Sequence, residues 1–148
     1  MRRLHKLLCL PASVRQLLVN AFVLLGLVRL GLWLLPFPTL RHTLAKISQI
    51  SPQQDKVKQI SVAQIIWAVN ATSRYMPGGV KCLARALTTQ VLMIRQGYSP
   101  ELRIGVAKGE KGQLEAHAWV ENQGQVVIGN LADLYRFTPL PSIERVKV

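Results

Sequence analysis

The spacing of hydrophobic and polar positions predicts helices in the first two thirds of the chain. A long apolar segment follows Pro11 and ends near Leu35, where two prolines interrupt it. Proline lacks a backbone N–H and restricts the residue before it, so we predict one helix between these limits. A second, short helix is predicted over residues 39–50. The polar residues 51–59 that follow are typical of a linker.

Two further helices are indicated by their end signals. Ser61 and Gln64 have the spacing of a capping box, which predicts a helix from this point to about Arg74. Another helix is predicted over residues 80–96, after a Pro-Gly-Gly turn and before Gly97, a residue suited to end a helix. Four residues at helical spacing predict one apolar face on it: Leu83, Leu87, Val91 and Ile94.

The hydrophobic period changes to two after residue 100, which predicts strands. Apolar residues alternate with others over residues 102–107, and further strands are predicted over 114–121 and 125–128, joined by a turn at Gly124. A loop and a short segment near residues 135–140 follow. Helices followed by an antiparallel sheet predict an α+β fold.

Length and charge limit the alternatives. The 148 residues suit one core, and the net charge is +12. Residues 1–60 hold nine basic side chains and one acid (+8), whereas residues 61–148 hold ten and six (+4). Such a surplus favours acidic partners. No basic motif rich in aromatic residues is present, so we do not predict nucleic-acid binding.

The cysteines and the N-terminal segment bear on localisation. Cys9 and Cys82 are too few for a disulfide framework, so we predict reduced thiols in a cytoplasmic protein. The apolar N-terminal segment reaches the length of a membrane span only by including Asn20 and Arg29. We therefore predict that residues 1–50 pack on the core or a partner, with membrane association a less favoured alternative.

Cys82 is the first candidate for chemistry. It lies at the predicted start of a helix, where unpaired backbone N–H groups and the helix dipole favour a thiolate. A thiolate can attack an acyl carbon. The structural alternative is a buried cysteine without a chemical role, and position alone does not separate the two.

His117 is the candidate base, because it lies on a strand against which the Cys82 helix could pack. A lone strand histidine is more often structural, but its combination with Cys82 favours a catalytic pair. A third residue should orient the imidazole. Asn130, at the end of the third strand, is favoured over Asp133 in the following loop. Either residue could instead belong to a turn.

Metal and cofactor sites are not predicted. The three histidines are scattered along the chain without the spacing of metal ligands. The Gly-x-x-Gly segment at 109–112 lies in a predicted hairpin, whereas a phosphate-binding loop joins a strand to a helix.

Three segments together resemble the lasso peptide biosynthesis protease family, the transglutaminase-like leader peptidases of the microcin-processing type. They are residues 78–87 (GGVKCLARAL), 102–106 (LRIGV) and 116–121 (AHAWVE). The similarity extends over nearly the whole chain. It implies a transglutaminase-like, papain-like core over residues 60–148, with N-terminal helices, a central helix carrying the cysteine and an antiparallel sheet carrying the histidine.

The resemblance also implies an activity and partners. By position, Cys82 would be the nucleophile and His117 the base of a Cys-His-Asp triad. The corresponding strand end in this chain has Asn130 where the family has Asp. The third member of the triad therefore stays open between Asn130 and Asp133. The implied reaction removes the leader of a ribosomally made precursor. A separate leader-binding protein and an asparagine-synthetase-like cyclase are the implied partners. The alternative is a catalytically impaired module that binds a peptide or a protein.

Overall fold

The computed structural model describes residues 5–6, 9, 11–49, 60–76, 82–130 and 134–139. These residues contain four complete α-helices, one 3₁₀ turn (Leu134–Arg136) and four strands. The helices are α1 (Ala12–Leu34), α2 (Phe37–Gln49), α3 (Val62–Tyr75) and α4 (Cys82–Arg95). The strands are β1 (Glu101–Lys108), β2 (Leu114–Asn122), β3 (Gln125–Ile128) and β4 (Thr138–Pro139). The predicted α+β class is confirmed.

Helix α1 begins after Pro11 and ends before Pro36, as predicted. Helix α2 begins two residues earlier than expected and holds Pro38 in its first turn. Proline is tolerated there, because the first N–H groups of a helix have no intrahelical partner. The predicted end of this helix at Ile50 and the linker at 51–59 lie outside the described residues.

The predicted end signals of α3 and α4 are confirmed. Gln64 N donates to Ser61 Oγ at 3.2 Å, and Ser61 N donates to Gln64 Oε1 at 3.0 Å. Gly97 follows α4 with a φ of +89°, and Tyr98 N donates to Met93 O at 3.0 Å. This pairing satisfies a carbonyl that would otherwise be free at the helix end. The predicted start of α4 at Val80 lies outside the described residues.

Helix α4 is the centre of the molecule. It contacts α1, α2 and α3 as well as strand β2, and its middle residues are buried nearly all round. Two of them, Thr88 and Thr89, are fully buried. Their hydroxyls donate to Ala84 O and Arg85 O, each at 2.8 Å. The buried surface is therefore wider than the single apolar face predicted for this helix.

The four strands form one antiparallel sheet in the order β3-β2-β1-β4. The hairpin between β2 and β3 has positive φ at both central residues, Gln123 (53°) and Gly124 (79°), as in a type I′ turn. A register shift follows, so that Val120 pairs with Ile128 and Glu121 with Val126. Strand β4, which the sequence analysis did not identify as a strand, pairs with β1 at the opposite edge.

The two faces of the sheet belong to different clusters. Its inner face, including Leu102, Ala118 and Val120, packs with the helices in the main hydrophobic core. Its outer face carries a small second cluster of Ala107, Trp119 and Phe137. Side chains alternate between the faces of a strand, so neighbours in β2 point to different clusters.

Helix α1 contributes its inner side to the main core, where Ala21, Leu25 and Val28 are fully buried. By length and composition it could also cross a membrane, with a mean hydropathy of 2.1 over an 18-residue window. Core helices and signal sequences meet the same criterion, so this property alone does not assign the helix to a membrane. The predicted division between residues 1–50 and 60–148 stays a prediction.

Candidate active site

Cys82 is the first described residue of α4, at the helix end where the sequence analysis predicted it. Its side chain is half-buried and packs against the main core. The backbone N–H groups of the first helical turn have no intrahelical partner and carry a partial positive charge. Cys82 therefore lies at the positively polarised end of α4.

Arg85 lies one turn after Cys82 and adds a positive charge to this end of α4. Its Nη2 donates to Asn70 Oδ1 on α3, and so the guanidinium is held against the neighbouring helix. Its Nε is buried and has no hydrogen-bond partner among the described residues. Arg85 thus links the Cys82 end of α4 to α3.

His117 lies half-buried on the outer face of β2, beside the second cluster. Its ring stacks with Trp119 at 6.2 Å between centroids and 19° between planes, and the Phe137 ring is 5.6 Å away. Trp119 Nε1 donates to Glu121 Oε1 at 3.0 Å. These contacts place His117, Trp119 and Glu121 on one face of β2.

One hydrogen bond indicates the tautomer of the neutral His117 ring. His117 Nε2 lies 2.6 Å from the carbonyl oxygen of Gly129. A carbonyl oxygen only accepts hydrogen bonds, so Nε2 carries the proton and donates. In the neutral ring Nδ1 then holds the free lone pair, as a general base requires.

Gly129 can hold this carbonyl in place because it has no side chain. Its φ is +84°, and a Cβ built at this position would lie 2.7 Å from Ala118 O and 2.9 Å from Trp119 Cβ. No other residue type allows so close an approach to β2 without displacing the backbone. The sequence analysis predicted an orienting side chain, whereas the group that holds the ring in the structure is this backbone carbonyl. A glycine directly after the strand was the available signal.

The side chain of Asn130, the favoured third residue, is exposed. Within the described part of the chain, the His117 ring donates its hydrogen bond to the carbonyl oxygen of Gly129, the residue before Asn130. Asp133 lies outside the described residues. The choice between Asn130 and Asp133 therefore stays a prediction.

Cys82 and His117 contact different hydrophobic clusters of the structure. Cys82 packs against the main core, whereas the His117 ring contacts Trp119 and Phe137 of the second cluster. No hydrogen bond joins the two side chains in the described structure. A catalytic pair would need the Cys82 Sγ and the His117 Nδ1 within hydrogen-bond reach.

A cleft of about 230 Å³ lies elsewhere, between the start of α1 and the end of α4. Its lining includes Ser13, Leu92 and Arg95. Leu92 is ten residues beyond Cys82, roughly 15 Å along the helix. The described residues contain no group of three His, Cys, Asp or Glu side chains that could hold a metal ion. The cleft is therefore not the site of the candidate chemistry.

A comparison with known protein families identifies the superfamily to which this chain is similar. A family model described as the transglutaminase-like superfamily matches residues 25–142, which include both Cys82 and His117. Searches of curated proteins and of solved structures found no match. The superfamily includes cysteine proteases. The matched range covers most of the 148 residues, and the chain therefore belongs to the transglutaminase-like superfamily.

Proposed function

We propose that the protein is a cysteine peptidase that removes the leader from a ribosomally synthesised precursor during lasso peptide maturation. The observation that carries the peptidase assignment is the hydrogen bond from His117 Nε2 to Gly129 O, which leaves Nδ1 free to accept a proton. The helix-start position of Cys82 supports it. The assignment to lasso peptides rests on the resemblance of residues 78–87, 102–106 and 116–121 to that protease family.

In the proposed reaction, His117 Nδ1 takes the proton of the Cys82 thiol, and Sγ attacks the carbonyl carbon at the leader–core junction. The imidazolium then protonates the leaving amine, so the core peptide departs and the leader stays bound as a thioester. A water molecule, deprotonated by His117, attacks the thioester. The leader leaves with a free carboxylate, and the thiol recovers its proton.

This mechanism requires a contact between Cys82 Sγ and His117 Nδ1 that the structure does not contain. We propose that the contact forms when the precursor binds. Because no hydrogen bond joins the two side chains in the described structure, a second candidate function also has support. In that alternative the chain is a transglutaminase-like module that binds a peptide or a protein without cleaving it.

Precursor cleavage by purified variants tests the proposal. Cys82→Ala should abolish cleavage, because the acyl-enzyme cannot form without the thiol. His117→Ala should lower the turnover rate by about 10²–10⁴-fold, the usual contribution of a general base. Cys9→Ala is the matched control and should retain full activity, since Cys9 is exposed and lies outside α4.

Iodoacetamide labelling separates the two candidate functions. In a peptidase, Cys82 should react faster than Cys9 in the folded protein, and His117→Ala should slow the reaction of Cys82 alone. Cleavage by Cys82→Ala, or a Cys82 labelling rate that His117→Ala leaves unchanged, would exclude the Cys-His mechanism. Binding of the precursor without cleavage would then favour the binding module.

We also propose that a separate leader-binding protein delivers the precursor and that an asparagine-synthetase-like cyclase consumes the core peptide. Delivery raises the effective concentration of substrate at the cysteine. Adding the leader-binding protein should therefore increase the cleavage rate. Full activity of the peptidase alone would exclude the delivery step.

A further inference from the structure

Helix α1 carries a second apolar surface that faces away from the molecule. We name this surface the outer stripe; it consists of Val19, Phe22, Val23, Leu27, Leu30 and Trp33. Steps of three or four residues place these side chains on one face of the helix. They are 44–84% exposed, and the stripe extends roughly 21 Å along the helix axis.

The opposite side of α1 is already buried. Ala21, Leu25 and Val28 are fully enclosed in the main core, which α1 shares with α3 and α4. A helix on the surface of a soluble protein normally turns a polar face to water. Contiguous exposed apolar surface of this kind is typical of a binding site. The outer stripe therefore needs an occupant other than the protein's own core.

The charge of the N-terminal segment favours one kind of binding partner for the outer stripe. Residues 1–54 contain no Asp or Glu and seven basic side chains: Arg2, Arg3, Lys6, Arg15, Arg29, Arg41 and Lys46. Arg15 is exposed one turn before the stripe begins. A second copy of the chain would place two acid-free, positively charged segments against each other. An anionic lipid surface instead offers negative headgroups beside an apolar interior, which complements both properties.

We propose that the outer stripe docks the protein on the surface of an anionic lipid bilayer, with α1 lying parallel to the membrane plane. The stripe side chains enter the boundary between headgroups and acyl chains, while the inner side of α1 stays in the core. Trp33, 84% exposed near the end of the stripe, suits this boundary because its ring is apolar and its N–H is polar.

The packing of α1 argues against a membrane span. A spanning helix would have to withdraw Ala21, Leu25 and Val28 from the core, leaving the surfaces of α3 and α4 uncovered. The superfamily match also begins at residue 25, inside α1, so the last ten residues of the helix lie within the matched range. The inference concerns α1 alone and does not depend on the proposed peptidase activity.

Vesicle sedimentation with the full chain tests the proposal. Wild type should bind vesicles of about equal parts phosphatidylglycerol and phosphatidylcholine at least about tenfold more tightly than phosphatidylcholine vesicles, because basic side chains add to the apolar contact. Leu27→Gln combined with Leu30→Gln should weaken binding by about tenfold or more, since both side chains lie in the stripe. Glutamine keeps the helix propensity, so the fold is retained.

The matched control is Leu114→Gln, an exposed leucine at the start of β2 and outside the stripe, which should bind as wild type does. Trp33 gives a second readout. Its fluorescence should shift to the blue on vesicles, and Trp33→Leu should remove that shift. Equal binding by the Leu27/Leu30 variant, or no binding by wild type, would overturn the proposal. A wild-type dimer that the same variant dissociates would also overturn it, by assigning the stripe to a second copy.

Discussion

At the scale of single residues, Gly129 determines where the His117 ring is held. Gly129→Ala adds a Cβ that would meet Ala118 O at 2.7 Å, at a φ of +84° that alanine disfavours. We expect the free energy of unfolding to fall by about 2–4 kcal/mol, the sum of backbone strain and displaced neighbours. Chemical denaturation followed by Trp fluorescence measures the loss.

Gly112→Ala provides the matched control for this change. Its φ of +79° is similar, but no atom lies within 4 Å of a Cβ at that position. Gly112→Ala should lower the free energy of unfolding by about 1 kcal/mol, because only the strain of a positive φ applies. Equal losses for the two variants would show that the close approach of Gly129 to β2 contributes nothing.

The chemical identity of the candidate residues could be read from the sequence, but their spatial relation could not. Cys82 begins α4, as its place after a Pro-Gly-Gly turn predicted. The group that orients His117 is a backbone carbonyl. Every residue has such a carbonyl, so the residue type at this position does not reveal its role. Whether Cys82 and His117 lie on the same side of the sheet depends on how β2 turns toward α4, which is a matter of tertiary packing.

At the scale of elements, the capping box of α3 is a local device whose contribution can be separated. Ser61→Ala removes the hydroxyl that accepts from Gln64 N and should lower the free energy of unfolding by about 1 kcal/mol. Gln64→Ala removes the reciprocal bond and should cost less. Thermal unfolding of both single variants and the double variant completes a double-mutant cycle. The stability losses of the two single variants should sum to more than the loss of the double variant, because the two bonds support each other. Strict additivity would show that the bonds act independently.

Elements with strong local signals agreed with the sequence analysis. The β2–β3 hairpin was predicted from its turn residues, and the observed φ of Gln123 and Gly124 explains why. Strand β4 was missed, because it has two residues and one of them is Pro139, which is tolerated only at a sheet edge. The 3₁₀ turn that precedes it has three residues and no distinctive periodicity.

At the scale of the whole molecule, α1, α3, α4 and the sheet share one hydrophobic core. Leu25→Ala should therefore lower the stability of the entire chain by about 2–5 kcal/mol, the usual cost of a cavity at a buried leucine. Leu27→Ala is the matched control, because Leu25 is 0% and Leu27 54% exposed on the same helix. It should change stability by less than about 0.5 kcal/mol.

Circular dichroism and Trp fluorescence should give coincident unfolding curves for both leucine variants, as expected of one cooperative unit. Two separate transitions, with only the first shifted by Leu25→Ala, would show that the N-terminal helices unfold independently of the rest.

The buried threonines of α4 have a consequence for how far the sequence around them can diverge. The hydroxyls of Thr88 and Thr89 donate to carbonyl oxygens of their own helix. They therefore need no hydrogen-bond acceptor on α1, α2, α3 or the sheet. The surrounding elements need only supply apolar volume, and many residue combinations do so equally well. We therefore expect α4 to keep its position when the residues packed around it change in evolution, provided that their total apolar volume is kept.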